Sequence, residues 1–457
     1  MPAKEIKLPK ALSELRGDVF FLGIGGSGMY ALARLALAKG FSVFGTDQRE
    51  NENVSRLRAL SVPILPEDAP LPDGVGALVY SLAVPITHPH IAEAVRRGIP
   101  IYPRAAFLGL FTRAFPVCAA VSGSHGKSTT TAMCAAILRA AGRAPTVLSG
   151  ADLGPDTESF VLGDGEILLL EACEYKDAFL SLAPTHALCL NASLEHTDYF
   201  PSKDAVMHSF ASFLSGERVV AAIAPHGLFP EHIAPTTFGK EGNVTACDLS
   251  FAGGCGSFLL CRDGREVGRV SLAVRGEFQV ENALAASALA FSLGVPEKAV
   301  LAGLGGFRGI PRRMELRGHL RTSPLYLDFA HHPRELFFSL RTAATLGAPV
   351  ALVFEPHTYT RTKTFFREFV RLLRTPHMAG VLPIYAARET ETLGVSSRAL
   401  AEEAGVAYLP DYAHAARFLI RAAGKGCTLL LVGAGGVPSV LSYLPRLTEV
   451  GRQNILV

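Results

Sequence analysis

The chain has 457 residues, 49% of them hydrophobic and 19% charged, so it can bury several cores and divide into about three domains. Its formal net charge of +3 is small and no lysine or arginine run stands out, so we expect no nucleic-acid partner. The eight cysteines form no CxxC pair and the N-terminal residues are too polar for a signal peptide, which together favour a cytoplasmic protein. Glycines and a proline interrupt the apolar stretch at 427–444, which predicts a buried strand, a turn and a helix instead of a membrane span.

The first structural pattern in the chain is an apolar strand, a glycine-rich turn and an Ala/Leu-rich helix over residues 19–40. Gly23, Gly25 and Gly28 match G-x-G-x-x-G, and Asp47 lies about 20 residues further on, where a ribose-binding acid stands in dinucleotide folds. Glycines let the backbone approach a pyrophosphate at a helix N-terminus. A tight strand-to-helix turn without a ligand would give the same pattern, and the motif alone does not identify NAD.

A second strand, glycine loop and helix is predicted over residues 115–142. The loop is shorter than the usual G-x-x-x-x-G-K-[ST], because Val121 stands where the first glycine is expected. Backbone N–H groups of such a loop can hold phosphate oxygens, Lys127 can neutralise the β and γ phosphates, and the Ser128 hydroxyl can bind Mg²⁺. The candidate phosphate-binding residues are Gly123, Ser124, His125, Gly126, Lys127, Ser128 and Thr129.

Polar side chains follow several other apolar strands. Glu171 ends one such run, and His196 lies past the next, where each could bind a metal beside the phosphate loop. Ligands bind open α/β sheets at the carboxyl ends of their strands, so this placement favours function over a packing role. A third α/β region places further polar residues after its strands: Asp328, His331, His332, His357 and Arg361.

Seven segments, in their order along almost the whole chain, resemble the Mur ligases, which are ATP-dependent amide-forming enzymes of bacterial peptidoglycan synthesis. That family uses the shorter loop G-[ST]-[HN]-G-K-[ST], so the missing glycine is normal there. The segments are GIGGSGM at 23–29, GSHGKSTTT at 123–131, EACEYKDAFL at 171–180, GEFQVENALAA at 276–286, FRGIPRRME at 307–315, DFAHHPRE at 328–335 and FEPHTYTRT at 354–362.

The resemblance implies a three-domain α/β protein. A Rossmann-like UDP-sugar-binding domain would span residues 1–112, a central P-loop ATP-binding domain 113–314, and a Rossmann-like domain that closes over ATP and the amino acid 315–457. The implied reaction joins L-alanine to UDP-N-acetylmuramate through an acyl phosphate, requires ATP and Mg²⁺, and is carried out by a monomer or homodimer without nucleic acid or membrane.

The resemblance also implies roles for individual residues. The catalytic set is Lys127, Glu171, His196, Arg313, His331, His357 and Arg361, in which Glu171 and His196 join Ser128 at the metal and Arg313 meets the phosphates. The ATP site adds Gln279, Asn282, Arg313 and Asp328 to the phosphate loop. The first glycine loop would hold the diphosphate of the UDP-sugar, so it need not bind NAD; that set is Gly23, Gly25, Gly26, Ser27, Gly28, Met29, Asp47 and Ser81.

Several motif positions depart from the family pattern, which bears on rate and on amino-acid identity. Residues 191–196 also alter the family's N-I-E-x-D-H. The other departures are Phe278 and Gln279 for His and Asn, Leu327 for Asp, Phe329 for Tyr, Glu355 for Gln, and Thr358 for an arginine found in many relatives.

Three alternatives remain at this stage. A sibling of the same family joins a whole peptide to UDP-N-acetylmuramate in peptidoglycan recycling, and an alanine-against-tripeptide comparison separates the two. A catalytically weak UDP-sugar-binding regulatory protein would release no phosphate. A nicotinamide oxidoreductase would leave the second phosphate loop unexplained.

Overall fold

The computed structural model describes residues 11–154, 157–196, 199–387 and 389–448, and it confirms a mixed α/β fold with three separate, mainly parallel sheets. The described residues form two compact units. The first contains the described residues within 11–248, 258–270 and 281–307, and the second those within 249–257, 271–280 and 308–448.

The first sheet has four parallel strands in the order β2-β1-β3-β4. Strand β1 is buried on both faces, because Val19 and Phe21 pack into one core while Phe20 and Leu22 pack into another. Helix α1 follows the glycine turn and ends two residues before Gly40, as the sequence predicted. The elements are β1 (Asp18–Leu22), α1 (Ser27–Ala38), β2 (Val43–Thr46), α2 (Glu52–Ala59), β3 (Val75–Tyr80), α3 (Pro89–Arg97), β4 (Ile101–Pro103) and α4 (Arg104–Ala114).

The second sheet has ten strands in the order β14-β13-β12-β11-β10-β9-β5-β8-β6-β7. Its strands are β5 (Val117–Ser122), β6 (Thr146–Leu148), β7 (Phe160–Val161), β8 (Ile167–Glu171), β9 (His186–Cys189), β10 (Ala221–Pro225), β11 (Thr236–Phe238), β12 (Val244–Ala252), β13 (Cys255–Arg262) and β14 (Arg265–Arg275). Its helices are α5 (Lys127–Ala140), α6 (Lys203–Leu214), α7 (Phe278–Ser292) and α8 (Glu297–Gly306).

The register of three adjacent strands places the phosphate loop. Strand β5 lies between β8 and β9 and is parallel to both, with Val121 opposite Glu171 and Ser122 opposite Cys189. The loop that leaves β5 therefore begins level with the carboxyl ends of both neighbours, so that side chains distant in sequence converge on it.

The third sheet has six strands in the order β15-β16-β20-β17-β18-β19, in which β15 and β16 are antiparallel and the other pairs are parallel. Asp328 and Phe354 both pair with Val432, so the loops after β16, β17 and β20 leave the same edge. Its strands are β15 (Glu315–Leu320), β16 (Ser323–Asp328), β17 (Val350–Phe354), β18 (Met378–Val381), β19 (Ala407–Tyr408) and β20 (Thr428–Val432). Its helices are α9 (Pro333–Ala344), α10 (Tyr359–Thr364), α11 (Phe366–Leu373), α12 (Ser397–Ala404) and α13 (Tyr412–Ala423).

The apolar stretch at 427–444 forms the buried strand β20, a glycine turn and a 3₁₀ helix over Val437–Tyr443. This agrees with the predicted strand, turn and helix. Within the residues that the structure describes, no helix is both long enough and apolar enough to cross a membrane.

Candidate active site

The first glycine loop is held by side chains from the elements that follow it. The Gly25 N–H donates to Asp47 Oδ2 at 2.8 Å, and Asn53 Nδ2 donates to the Gly25 carbonyl at 3.0 Å. A Cβ atom at Gly25 would lie 2.6 Å from both Asn51 Nδ2 and Val54 Cγ2, so only glycine fits there. Asp47 therefore organises the backbone of this loop, and its predicted contact with a ribose stays a prediction.

The loop leads into the N-terminus of α1, where Gly26 is the N-cap and Ser27 the first helical residue. Gly28 faces the side chain of Arg104, because a Cβ atom there would lie 3.1 Å from Arg104 Nη1. The N-terminus of a helix and a guanidinium both favour a diphosphate. Arg104, the first residue of α4, was missed from the sequence, although a basic residue directly after β4 was a usable signal.

The other predicted sugar-site residues divide into two groups. Ser81 follows β3 and lies beside the loop, since a Cβ atom at Gly23 would be 3.7 Å from Ser81 Cβ. Met29 is only 2% exposed and packs in the hydrophobic core. Only the backbone of Met29 is therefore available to a ligand.

The phosphate loop is clamped by the segment that follows β9. The side-chain amide of Asn191 bonds both main-chain groups of His125: Oδ1 accepts from the N–H at 2.9 Å and Nδ2 donates to the carbonyl at 3.1 Å. The Ser124 N–H donates to the Asn191 carbonyl at 3.1 Å, and the Ser193 N–H donates to Ser124 Oγ at 2.9 Å. Asn191 was visible in the altered family motif, but sequence reasoning gave it no role.

Helix α7 supplies a second support for the loop. Gly126 has φ of +86°, and a Cβ atom there would lie 2.6 Å from Asn282 Oδ1, so the amide of Asn282 lies directly against the loop backbone. The His125 ring approaches Glu195, with 3.2 Å between Nε2 and Oε1. Thr129 is buried in the first turn of α5, and Gln279 is buried at the start of α7.

Lys127 is paired with a carboxylate that the sequence prediction did not single out. Its ammonium lies 2.9 Å from Glu174 Oε2, 3.2 Å from Oε1, and 2.5 Å from the Gly123 carbonyl oxygen. Burial acts to lower the pKa of Lys127, but the negative charge of Glu174 and smaller contributions from Cys173 and Glu171 outweigh it, so the pKa is raised. The lysine is therefore held as a cation at the base of the loop.

The structure brings Ser128 and Glu171 together, with 3.0 Å between Ser128 Oγ and Glu171 Oε2. The other oxygen of Glu171 accepts from Ser149 Oγ at 2.5 Å and from the Gly150 N–H at 2.7 Å. A hydroxyl and a carboxylate are the oxygen donors that suit Mg²⁺.

His196 Nε2 approaches a neighbouring carboxylate, with 3.8 Å to Glu174 Oε1. Within the described ranges, no cluster of three His, Cys, Asp or Glu side chains is arranged to hold a metal. The adjacent hydroxyl of Ser128 and carboxylate of Glu171 fit a cation that also takes oxygens from its phosphate partner, as Mg²⁺ does in nucleotide sites.

In the second unit, the loop after β16 is built around Asp328. The carboxylate accepts hydrogen bonds from the Met314 N–H at 2.7 Å, the Ala330 N–H at 2.9 Å and Ser339 Oγ at 2.9 Å. Burial raises the pKa of Asp328, although Arg313 and these donors act in the opposite direction. The geometry makes Asp328 an organiser of the loop, and its predicted contact with ATP stays a prediction.

The two adjacent arginines before β15 have different surroundings. Arg312 is held inside the unit, where Nη2 donates to the Gly433 carbonyl at 2.6 Å and the guanidinium lies 4.6 Å from the Phe329 ring centroid. Desolvation lowers the pKa of Arg312, with the nearby charge of Glu355 opposing it. Arg313 lies 5.2 Å from the same ring and is half-buried, as Arg312 is, so the two differ in the carbonyl contacts that hold Arg312.

Glu355 occupies the position where the family has glutamine, and it is buried. Its Oε1 accepts from the Tyr412 hydroxyl at 3.0 Å and its Oε2 accepts from the Val437 N–H at 3.1 Å. Burial raises the pKa of this carboxyl. Glu355 therefore ties the end of β17 to α13 and to the segment after β20.

His357 and Arg361 are in direct contact, with 3.0 Å between Nδ1 and Nη1. His357 precedes α10, whose N-cap is Thr358 with φ of +65°, so this left-handed residue turns the two side chains together. Burial and the neighbouring His331 and Arg361 lower the pKa of His357 to about 4, so the imidazole is neutral near pH 7 and can accept from the guanidinium. His331 is also neutral, because burial lowers its pKa.

His332 and Glu335 complete the start of α9. His332 is its N-cap, and Glu335 Oε2 accepts from the N–H groups of His331 and His332 at 3.0 and 3.2 Å. This capping box fixes the backbone on which His331 is carried.

A phosphate loop at the carboxyl edge of a parallel sheet, with a lysine and a hydroxyl at the start of the following helix, defines a nucleotide-dependent α/β enzyme. The chain belongs to the Mur ligase family. Three family models match it: the Mur ligase catalytic domain over residues 18–116, the middle domain over 121–290, and the glutamate ligase domain over 312–435.

The chain is similar over nearly its whole length to several curated ligases. It is 33% identical to the UDP-N-acetylmuramate–L-alanine ligase of Agathobacter rectalis, covering 92% of this chain and 96% of that protein. It is 35% identical to the enzyme of the same name from Aquifex aeolicus, with 91% and 94% covered. The structure of the UDP-N-acetylmuramate–alanine ligase of Thermotoga maritima superposes with a TM-score of 0.78 at 25% identity, covering 93% and 98%. A murein peptide ligase from Psychrobacter arcticus shares the fold, with a TM-score of 0.69 at 22% identity and coverage of 95% and 100%.

Proposed function

We propose that this protein is an ATP-dependent ligase that joins L-alanine to the carboxylate of UDP-N-acetylmuramate in peptidoglycan synthesis, with release of ADP and phosphate. The main support is a complete phosphate loop in which Lys127 contacts Glu174 and Ser128 contacts Glu171. The chain is also similar over nearly its whole length to UDP-N-acetylmuramate–L-alanine ligases. The peptide-adding alternative is supported only by similarity of fold at lower identity.

The proposed reaction has two covalent steps. The sugar carboxylate attacks the γ-phosphorus, so that a carboxyl O–P bond forms as the bond to ADP breaks. The amine of alanine then attacks the acyl carbon, an N–C bond forms, and phosphate leaves with the acyl oxygen while the amine loses a proton. Charge accumulates on phosphoryl oxygens and then on the tetrahedral oxygen, so fixed cations are the main requirement.

The residues of this chain supply those charges and the binding surfaces. Lys127 stabilises the transferring phosphoryl group, and Ser128 and Glu171 would hold Mg²⁺, which neutralises phosphate charge when it is bound. We propose His196 as a further metal ligand and Arg313 as a phosphate contact. His331, His357 and Arg361 are proposed to bind the sugar carboxylate or acyl phosphate and the incoming amine.

The proposed domain assignment is the one that the family resemblance implies, with UDP-sugar bound by residues 1–112, ATP by 113–314 and the amino acid by 315–457. We also propose that the protein acts in the cytoplasm, where UDP-sugars and ATP are available, as a monomer or homodimer.

A phosphate-release assay tests the proposed function directly. The purified protein would be given UDP-N-acetylmuramate, ATP and Mg²⁺ with alanine, glycine, serine or a tripeptide in turn, and with either substrate omitted. We expect release that needs both the UDP-sugar and alanine, and the product mass should equal their sum minus one water. Preference for the tripeptide would establish the recycling reaction instead, and no release in any arm would contradict ligase activity.

We expect Gly28→Val to weaken UDP-N-acetylmuramate binding by at least about tenfold, roughly 1.4 kcal/mol, while ATP affinity stays within about twofold. A branched side chain would push Arg104 away and fill the space where the backbone approaches a diphosphate. Calorimetry with each ligand measures both affinities. Gly306→Val is the control, because a side chain there enters open space at the end of α8. If Gly28→Val weakened ATP binding and left UDP-N-acetylmuramate binding unchanged, the roles assigned to the two glycine loops would have to be exchanged.

We expect Arg361→Lys to lower kcat/KM for the UDP-sugar by at least about tenfold, roughly 1.4 kcal/mol, with little change in the dissociation constant of ATP. Lysine cannot reproduce the planar fork that donates to His357 and to a carboxylate at the same time. Arg371→Lys on the exposed face of α11 is the matched control. An unchanged sugar-dependent rate would place Arg361 outside the site.

A further inference from the structure

The turn that follows Glu174 is strained, although nothing in its sequence is glycine. Lys176 and Asp177 both have left-handed backbone conformations, with φ of 53° and 56°. Residues other than glycine rarely adopt this region, and such strain is retained where the surrounding structure forces it and often where function needs it.

The strained turn is anchored to its surroundings at two points. The Asp177 carboxylate accepts hydrogen bonds from the Tyr199 hydroxyl at 2.6 Å and from the Ser209 hydroxyl of α6. Two residues on, the buried Phe179 ring stacks on Phe213 of α6 with 4.7 Å between centroids. These anchors fix the segment after Glu174, and strand β8 ends three residues before it at Glu171, so the backbone that carries Glu174 has little freedom.

Glu174 is itself 3% exposed, which is unusual for a carboxylate unless a cation pairs with it. The cation is Lys127, and the pair lies at the base of the phosphate loop. Other titratable groups near the pair include Cys173, Glu171, Cys189 and His196. The Lys127 ammonium lies 2.9 Å from Glu174, closer than His196 Nε2 at 3.8 Å, so the carboxylate acts mainly on that ammonium.

An ammonium has three N–H donors, and the geometry assigns two of them. Glu174 takes one at 2.9 Å and the Gly123 carbonyl takes another at 2.5 Å, while the Ser124 carbonyl lies further away at 3.4 Å. A phosphoryl oxygen can replace this longest contact while the two shorter ones hold the ammonium in place.

We propose that Glu174 is a positioning residue of the phosphate site. It is a buried counter-ion that the strained Lys176–Asp177 turn holds against Lys127. The remaining N–H donor of the Lys127 ammonium is thereby directed at the transferring phosphoryl group. The inference rests on the proposed function. Glu174 touches no reacting atom in this scheme, and acts through the direction and charge of Lys127.

The activity test compares Glu174→Gln, Glu174→Asp and the exposed control Glu217→Gln in the complete protein, using phosphate release and fluorescence binding of a non-hydrolysable ATP analogue. We expect Glu174→Gln to lower kcat at least tenfold while KM for ATP and the analogue affinity change less than threefold, because misdirection of the ammonium affects transfer more than binding. Glu174→Asp, which keeps the charge, should recover most of kcat. A Gln variant within twofold of wild type, or equal losses in the Gln and Asp variants, would overturn the proposal.

A stability test separates this inference from the proposed reaction. We expect Lys127→Met and Glu174→Gln each to lower Tm in the absence of nucleotide, and the double variant to recover most of that loss, because each single change leaves a buried charge unpaired. Additive losses would show that the pair is not formed and would overturn the positioning role even in an active enzyme. Absence of phosphate release by the wild-type protein with every amino acid would instead contradict the proposed reaction.

Discussion

Lys127→Ala should lower kcat for phosphate release by at least about 10²- to 10³-fold, roughly 3–4 kcal/mol of transition-state stabilisation. The ammonium is the cation that the loop places at the phosphoryl group, and alanine leaves no charge in its place. Steady-state kinetics with saturating ATP, UDP-N-acetylmuramate and alanine measures the effect.

The structure adds a consequence for stability that the loop motif alone does not reveal. Alanine leaves the buried carboxylate of Glu174 without its partner, so Lys127→Ala should also unfold at a lower temperature. The variant with both Lys127→Met and Glu174→Gln provides the control, because it removes both charges and keeps side-chain volume. If that well-folded double variant, or folded Lys127→Ala, turned over at a near-normal rate, Lys127 would have no part in phosphoryl transfer.

The second large effect is expected from Asn191→Asp, which changes one NH₂ group into an oxygen at nearly constant shape. The amide donates to the His125 carbonyl at 3.1 Å, and a carboxylate would place a negative oxygen against that carbonyl instead. Losing the bond and adding repulsion should cost about 2–3 kcal/mol, or roughly 30- to 150-fold in kcat/KM for ATP.

The predicted selectivity distinguishes a loop defect from general unfolding. Binding of UDP-N-acetylmuramate, measured by calorimetry, should stay within about twofold of wild type, because the first glycine loop is held by Asp47 and Asn53 and does not depend on Asn191. Comparable losses for both ligands, or an unchanged kcat/KM for ATP, would show that the Asn191 clamp does not organise the phosphate loop.

The features of the site that depend on neighbouring residues could be predicted from the sequence. Strand, loop and helix succession around Gly23 and Gly123 depends on local periodicity and on glycine, so the sequence predicts both units, and the structure has helices α1 and α5 where they were expected. The placement of Glu171 at a strand end is equally local, since an apolar run before a carboxylate defines it.

The sequence could not reveal which of two neighbouring, identical residues is held by hydrogen bonds within the folded chain. Arg312 and Arg313 are adjacent, chemically identical and both half-buried beside Phe329, yet it is Arg312 that donates to the Gly433 and Gly435 carbonyls. Asp328 has the appearance of a ligand-binding carboxylate, whereas its three hydrogen bonds to its own chain are visible only in the folded structure.

By itself, then, the sequence determined the family, the α/β class and the residues whose chemistry depends on their immediate neighbours. Tertiary structure alone decided the roles of Glu174, Asn191 and Arg104. Their partners lie 47, 66 and 76 positions away along the chain, at Lys127, His125 and Gly28. Contacts over such separations are set by strand register, as when β5 pairs with β8 and β9, and by the packing of helices on the sheets; neither leaves a periodic signal in the chain.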